Sequence, residues 1–170
     1  MLQIISAQNG KPLDEFMALA NDYVTWMLGE IPQHFPELDV DTFAAEHSYD
    51  DLSKKFPGDH VPLHGCLLVA MVDERAAGCI ALGKLNDSIC EVRTLYVRPE
   101  FRGVGAGRAL VEAVFEKARE YGYQMARLDT LEFMIGAQKL YESYGFYRID
   151  PYLPLPDHLK PYIRFYEMKL

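Results

Sequence analysis

The sequence predicts one α/β domain over residues 1–170: a mixed central sheet, antiparallel meander plus parallel βαβ, with helices on both faces. Three observations predict it. Apolar runs at 65–72, 77–85 and 88–97 follow one another across short turns, the pattern of an antiparallel meander. An amphipathic segment at 105–122 then leads to another apolar run at 123–131, so a crossover helix joins parallel strands. No repeat or shift of composition divides the 170 residues, a length that suits a single core.

Taken in order, "LQIISA" alternates as a first strand. "QNGKP" breaks the chain, and "LDEFMALANDYVTWMLGE" sets Phe16, Leu19, Tyr23, Trp26 and Met27 at helical spacing. "PQHFPEL" reads as a loop, and "DVDTFAAEHSYDDLSKKF" as a weaker second helix that ends before "PGDHVP". The meander strands "GCLLVAMV", "AGCIALGKL" and "SICEVRTLYV" turn at "DERA" and "ND". Strict alternation in the third places Glu91, Arg93 and Leu95 on one face, with Val92, Thr94 and Tyr96 on the other. In the helix from 105 to 122, Ala106, Ala109, Leu110, Ala113, Val114, Ala118 and Tyr121 form one apolar stripe, and Gly122 is placed to end it. "YQMARLDTL" is a strand and "MIGAQKLYESYG" a short helix closed by Gly145. "FYRID" and "YIRFYEMKL" complete the sheet across the proline-rich "PYLPLPDHLKP".

Composition narrows the function. With 49% hydrophobic and 25% charged residues the chain reads as an ordinary soluble globule. A formal charge of -8 argues against nucleic acid, whose phosphates need a clustered basic surface, and is compatible with an amine-bearing substrate. Cys66, Cys79 and Cys90 are odd in number, lack ligand spacing and sit in apolar runs, so they are expected as small buried side chains in a reducing cytoplasm. The opening "MLQIISAQNGKPLDEF" has no basic segment or long apolar core, so neither a leader nor a membrane partner is expected. His34, His47, His60, His64 and His158 are scattered and read as surface or loop residues, and no metal is expected.

The chemistry concentrates in "VRPEFRGVGAGRAL", residues 97–110. Gly103, Gly105 and Gly107 lie between a strand and a helix N-terminus, where N–H groups converge and the helix presents partial positive charge. Arg102 and Arg108 add cations, and the whole suits a phosphate or pyrophosphate. A P-loop requires Gly-Lys-Ser/Thr, whereas Arg108 and Ala109 follow Gly107. A dinucleotide fingerprint requires G-x-G-x-x-G on the first strand of its βαβ unit, and neither condition holds. What matches is R-x-x-G-x-G, through Arg102, Gly105 and Gly107. The plainer reading is a tight strand–helix turn whose glycines serve packing.

With "LYVRPEFRG" before it, this stretch resembles motif A of the GCN5-related N-acetyltransferases (GNAT), and "AQKLYESYGF" resembles their A-x-x-L-Y-x-x-x-G-F segment. The resemblance is good from about Cys66 to Phe146 and general elsewhere. It implies the acyl-CoA N-acyltransferase fold and acetyl-CoA as co-substrate. The pyrophosphate would lie on Arg102, Gly103, Val104, Gly105, Ala106, Gly107 and Arg108. The pantetheine arm would pair with the backbone of Leu95, Tyr96 and Val97 at a strand bulge, and would pass Met134 and Ala137. Met134 stands where many relatives carry asparagine. By the same resemblance Tyr141 would protonate the leaving thiolate and Glu91 would serve as base through water. The plain alternatives are a buried helix tyrosine and a solvated glutamate paired with Arg93.

Asp129 and Thr130 end the neighbouring strand, where ligands gather, and would touch either acyl-CoA or amine. For the acceptor, Tyr152, Tyr162 and Phe165 offer an aromatic wall, and Glu30, Glu37 and Glu46 offer negative charge. The expectation is an acetyl-CoA-dependent N-acetyltransferase acting on a primary amine of a small molecule or peptide by direct attack, as monomer or homodimer. The alternative is a non-catalytic acyl-CoA-binding sensor or scaffold.

Overall fold

A computed structural model describes residues 1–170. Strand β1 (Leu2–Ser6) leads into helix α1 (Gly10–His34) and the short α2 (Val40–Glu46). Strands β2 (Cys66–Val72), β3 (Arg75–Lys84) and β4 (Ile89–Val97) form the meander, and α3 (Ala106–Glu120) crosses to β5 (Met125–Leu131). Helix α4 (Ile135–Ser143) precedes β6 (Tyr147–Ile149) and β7 (Ile163–Lys169). The sheet order is β1-β2-β3-β4-β5-β7-β6; only the β4–β5 pair is parallel, and β7 inserts between β5 and β6.

Alternate side chains of the meander feed two cores. Leu68, Ile80 and Leu82 pack with Leu110, Val111 and Val114 of α3. Leu67, Val69 and Ala81 pack with Phe16, Leu19 and Ala20 of α1. A third cluster joins Met27, Ile31 and Phe35 to Leu131, Leu159 and Phe165 where β5 meets the C-terminal segment. Each large apolar side chain so buried stabilises by about 1.5–3 kcal/mol. Cys66, Cys79 and Cys90 are free and buried, as small apolar residues would be.

Four details differ from the sequence reading. The break "QNGKP" is the first turn of α1, where Pro12 has no N–H to waste because first-turn amides have no intrahelical acceptor. At its other end α1 runs on through Pro32, held by buried Met27 and Ile31 and closed by Phe35 N–H donating to Ile31 at 2.7 Å. The second helix is only α2, capped by Asp39 and stopped at His47. There Ser48 takes φ 56°, and Tyr49 N–H donates back to Ala44 at 2.8 Å, a Schellman closure without glycine.

The fourth difference is the face taken by Leu95, set by a bulge in β4 of the kind the resemblance implied. Arg93 pairs with Ala81 and Tyr96 with Cys79, so Thr94 and Leu95 together oppose Ile80. Thr94 sits at φ 55°, a strained value for a β-branched residue. The extra residue reverses the alternation: Tyr96 packs on the α1 side, while Val92, Leu95 and Val97 pack on the α3 side. Leu95 therefore does not share a face with Glu91 and Arg93. No helix is long and apolar enough to cross a membrane.

Candidate functional site

Beyond the bulge the sheet opens. Parallel pairing of β4 with β5 is confined to Ile89–Met125, Cys90–Ala126 and Glu91–Arg127, after which the strands diverge. The glycine loop stands at the far end of β4. Gly103 (φ 84°) and Gly105 (φ 89°) hold the left-handed backbone that turns the chain from a 3-10 turn (Pro99–Phe101) into α3. A Cβ on either would meet no protein atom, so the loop faces open space and needs glycine for conformation. No side chain caps α3, and the amides of Ala106, Gly107 and Arg108 stand at a helix start without intrahelical acceptors. Arg102 and Val104 are exposed; Arg102 Nε donates to Val97 O at 3.2 Å. The Arg108 guanidinium lies 5.9 Å from the Tyr144 ring centre. Such a loop suits an anion.

Tyr141 holds its ring in the α3-side core, edge-on to Phe146 at 5.5 Å. Burial raises its phenol well above the ordinary range, with Tyr23 and Asp129 adding to the effect. Its hydroxyl has no protein hydrogen-bond partner and is not sealed from solvent. Met134 caps α4, and its Sδ accepts from Thr130 Oγ1 at 3.5 Å and from Tyr23 OH at 3.9 Å. Ala137 is half-buried between two cores.

On the α1 side a cavity of about 540 Å³ opens at the divergence, with Glu91, Arg93, Asp129 and Thr130 among its walls. Glu91 is 2% exposed. One of its oxygens pairs with Arg93 Nε, and Oε1 accepts from Tyr152 OH at 2.7 Å. It is thus paired with Arg93 as its neighbour in the strand, yet buried rather than solvated. The Tyr152 phenol is raised strongly, by burial and then by the Glu91 charge. His60 lies in a loop, as one of its two readings had it, but is buried rather than on the surface. Its Nδ1 lies 2.9 Å from Pro57 O and its Nε2 3.3 Å from Arg93 NH1. Burial, then Arg93, pushes its pKa down to about 4.

Two further charges at this cavity have no protein partner. Asp129, two residues before the end of β5, has its carboxylate open to the space; desolvation by the surrounding cavity walls, then the Glu91 charge, raises its pKa. Lys55 reaches in from the loop after α2, its Nζ 4.5 Å from the Tyr49 ring centre, and burial and Arg93 lower its pKa. Lys55, His60 and the Tyr152–Glu91 bond were not legible in the sequence. Lys55 lies in a stretch read as helix, His60 in a segment without periodicity, and Tyr152 is 61 positions from Glu91.

The expected acceptor residues divide. Phe165 lines the cavity with Tyr152 edge-on to it at 5.2 Å, whereas Tyr162 packs on Phe35 at 4.3 Å and bonds Glu37. Glu46 and His47 stand in the cavity wall, while Glu30 pairs with His34.

Residues 24–146 match the model of the Acetyltransferase (GNAT) family. An uncharacterized N-acetyltransferase of Schizosaccharomyces pombe is 39% identical over 100 residues, 56% of this chain and 61% of that protein. The N-acetylaspartate synthetase of Danio rerio is 35% identical over 89 residues, 52% of this chain and 32% of that protein. The matches thus span less than two thirds of these relatives' own lengths. Among solved structures, the PaiA N-acetyltransferase of Thermoplasma acidophilum, crystallised with coenzyme A, superposes with a TM-score of 0.72 at 17% identity, covering 100% of this chain and 99% of that one. A mixed seven-stranded sheet splayed at its one parallel pair, a glycine loop at the uncapped start of α3 and a family match over 24–146 converge: this chain belongs to the GNAT family of acetyltransferases.

Proposed function

We propose that the protein transfers acetyl from acetyl-CoA to a primary amine of a small molecule or peptide, by direct attack and without an acyl-enzyme. One observation carries the reading. The divergence of β4 from β5 lies between an anion-binding loop on one side and a carboxylate-lined cavity on the other. The amides from Gly103 to Arg108, with the cations of Arg102 and Arg108, suit a pyrophosphate. The unpaired edge of β4 from Leu95 to Val97 suits an extended arm that adds to it as a strand would. Met134 and Ala137 flank that arm's course from α4, with the Met134 sulfur taking the place of an amide.

The amine must lose a proton before it attacks. Glu91 is the base in this reading, through a water in the cavity. A carboxylate has about four acceptor sites, so the bonds from Arg93 and Tyr152 leave capacity for that water. The amine nitrogen forms a bond to the acetyl carbon, the carbon–sulfur bond breaks, and Tyr141 gives its proton to the departing sulfur. A phenol raised by burial keeps that proton until a thiolate calls for it. The three cysteines are buried in the cores, with Cys66 and Cys90 pushed up to about 12, so none serves as an acyl carrier.

The relatives named N-acetylaspartate synthetase carry, in that name, an acetylated amino acid as product. An amino-acid amine is therefore within the class proposed. The test is thiol release from acetyl-CoA across a panel of primary amines. Turnover is expected with at least one of them, and with Tyr141→Phe it falls by about 10²-fold. Binding of CoA with no thiol release from any amine would favour a sensor or scaffold instead.

A further inference from the structure

We infer that the acceptor carries a carboxylate as well as its amine, with Lys55 the anchor for the carboxylate and Asp129 facing the amine. The inference rests on the acetyl-transfer reading and names the acceptor class within it.

Two cations, Arg93 and Lys55, and one histidine, His47, stand at the cavity, and only Lys55 is unspoken for. Arg93 is committed to Glu91, with its NH1 3.3 Å from His60. His47 holds its Nδ1 2.8 Å from Phe43 O. Lys55 forms no ion pair and no side-chain hydrogen bond; its ammonium rests over the Tyr49 ring, which supports a cation without neutralising it. Among the carboxylates, Glu91 accepts from Arg93 and Tyr152, whereas Asp129 beside the β4–β5 divergence and Glu46 at the end of α2 accept from nothing. Neither Lys55 nor Asp129 is sealed into the core, since every enclosed polar side-chain atom has a hydrogen-bond partner. Each therefore ends in the open space between α2, β4 and β5.

The half-buried Lys55 ammonium is partly dehydrated without an ion pair, and the Asp129 carboxylate is open to a ligand, so a molecule that reaches both gains two charge-assisted contacts. A purely cationic amine would satisfy Asp129 and meet repulsion from Lys55 and Arg93. A molecule bearing both charges, an amino acid or a short peptide with its carboxylate near the amine, satisfies both. Asp129 stands near the end of β5, beside the divergence, so its partner charge is the one nearest the thioester in the transfer reading. Lys55, from the loop across the cavity, takes the distal charge.

The experiment compares kcat/KM for amino acids with that for the matching decarboxylated amines that carry no carboxylate, for example phenylalanine against 2-phenylethylamine and leucine against 3-methylbutylamine. Thiol release is measured in wild type and in Lys55→Met, with Lys55→Arg as the charge-conserving control. Wild type is expected to favour at least one amino acid over its decarboxylated partner by tenfold or more. Lys55→Met removes that preference by raising KM for the amino acid, while kcat for the decarboxylated amine and acetyl-CoA affinity stay within twofold. Lys55→Arg retains most of the preference. Equal use of both partners by wild type, or an unchanged preference in Lys55→Met, overturns the inference and leaves acetyl transfer standing. Absence of thiol release with every amine overturns the transfer reading itself, and this inference with it.

Discussion

The Tyr141 hydroxyl touches no other protein group while its ring is locked against Phe146, so function and stability separate at this residue. Tyr141→Phe is expected to leave the melting temperature unchanged within about 2 °C while single-turnover thiol release drops by about 10²-fold. A rate equal to wild type would remove the acid from Tyr141. Glu91 joins the two properties. Glu91→Gln keeps an acceptor for Tyr152 but leaves Arg93, 30% exposed, without its counter-charge. Urea denaturation should show a loss of about 1–3 kcal/mol, together with a fall in kcat that added amine does not restore. An undiminished midpoint would mean that Arg93 is satisfied by solvent. Residue types were legible here only where a motif framed them. Glu91 and Tyr141 stood at definite offsets from the glycine loop, whereas Lys55 entered the cavity from a segment that pattern reading had placed in a helix.

At the scale of elements, β4 decides the site. Its bulge frees the strand from β5 and turns Tyr96 to the α1 side, and the strain is held at Thr94. Thr94→Gly removes a β-branched side chain from a positive φ and is expected to raise unfolding stability by about 1 kcal/mol in chemical denaturation. A loss instead would show that the Thr94 side chain contributes more than its backbone costs. On the facing strand Gly78 leaves no room: a Cβ there would lie 2.5 Å from Tyr96 O. Gly78→Ala should therefore destabilise the meander, read as a lower urea midpoint. Only the family resemblance implied the bulge; the pattern of "SICEVRTLYV" does not show it, because alternation is a two-residue rhythm and one inserted residue resets it without any change of composition. The end of α2 was hidden for a similar reason. Ser48 takes the left-handed position where glycine is the usual sign. Helix α3 was plain in the sequence because its apolar stripe and its bounding glycines agree.

For the whole molecule, acid stability and coenzyme binding are the properties that integrate these parts. His60 is held neutral in the fold, with its pKa near 4 against an ordinary 6.5. The unfolded chain takes up this proton first, so stability is complete above pH 6.5 and falls as pH drops through 6.5 toward 4. The loss reaches about 3 kcal/mol. Denaturation of His60→Gln at pH 7.5 and pH 5 should flatten that part of the profile, and an unchanged slope would assign it to carboxylates. The architecture was legible because meander, crossover helix and glycine loop occur in one order that few folds share. The acceptor cavity was not, because its walls come from α1, α2, two loops and three strands, and no linear pattern spans such distances. The account's central claim is that backbone amides between Arg102 and Arg108 hold the coenzyme's diphosphate, and the most direct measurement is titration calorimetry of acetyl-CoA into wild type and Gly105→Asp. Aspartate is among the few residues with a side chain that visit the left-handed backbone Gly105 holds, at a cost of about 1–2 kcal/mol, and it sets a negative charge where the diphosphate would lie. Saturable binding by wild type, weakened at least tenfold in the variant with its fold intact, is the predicted result; no binding by wild type, or equal affinity in both, would contradict it.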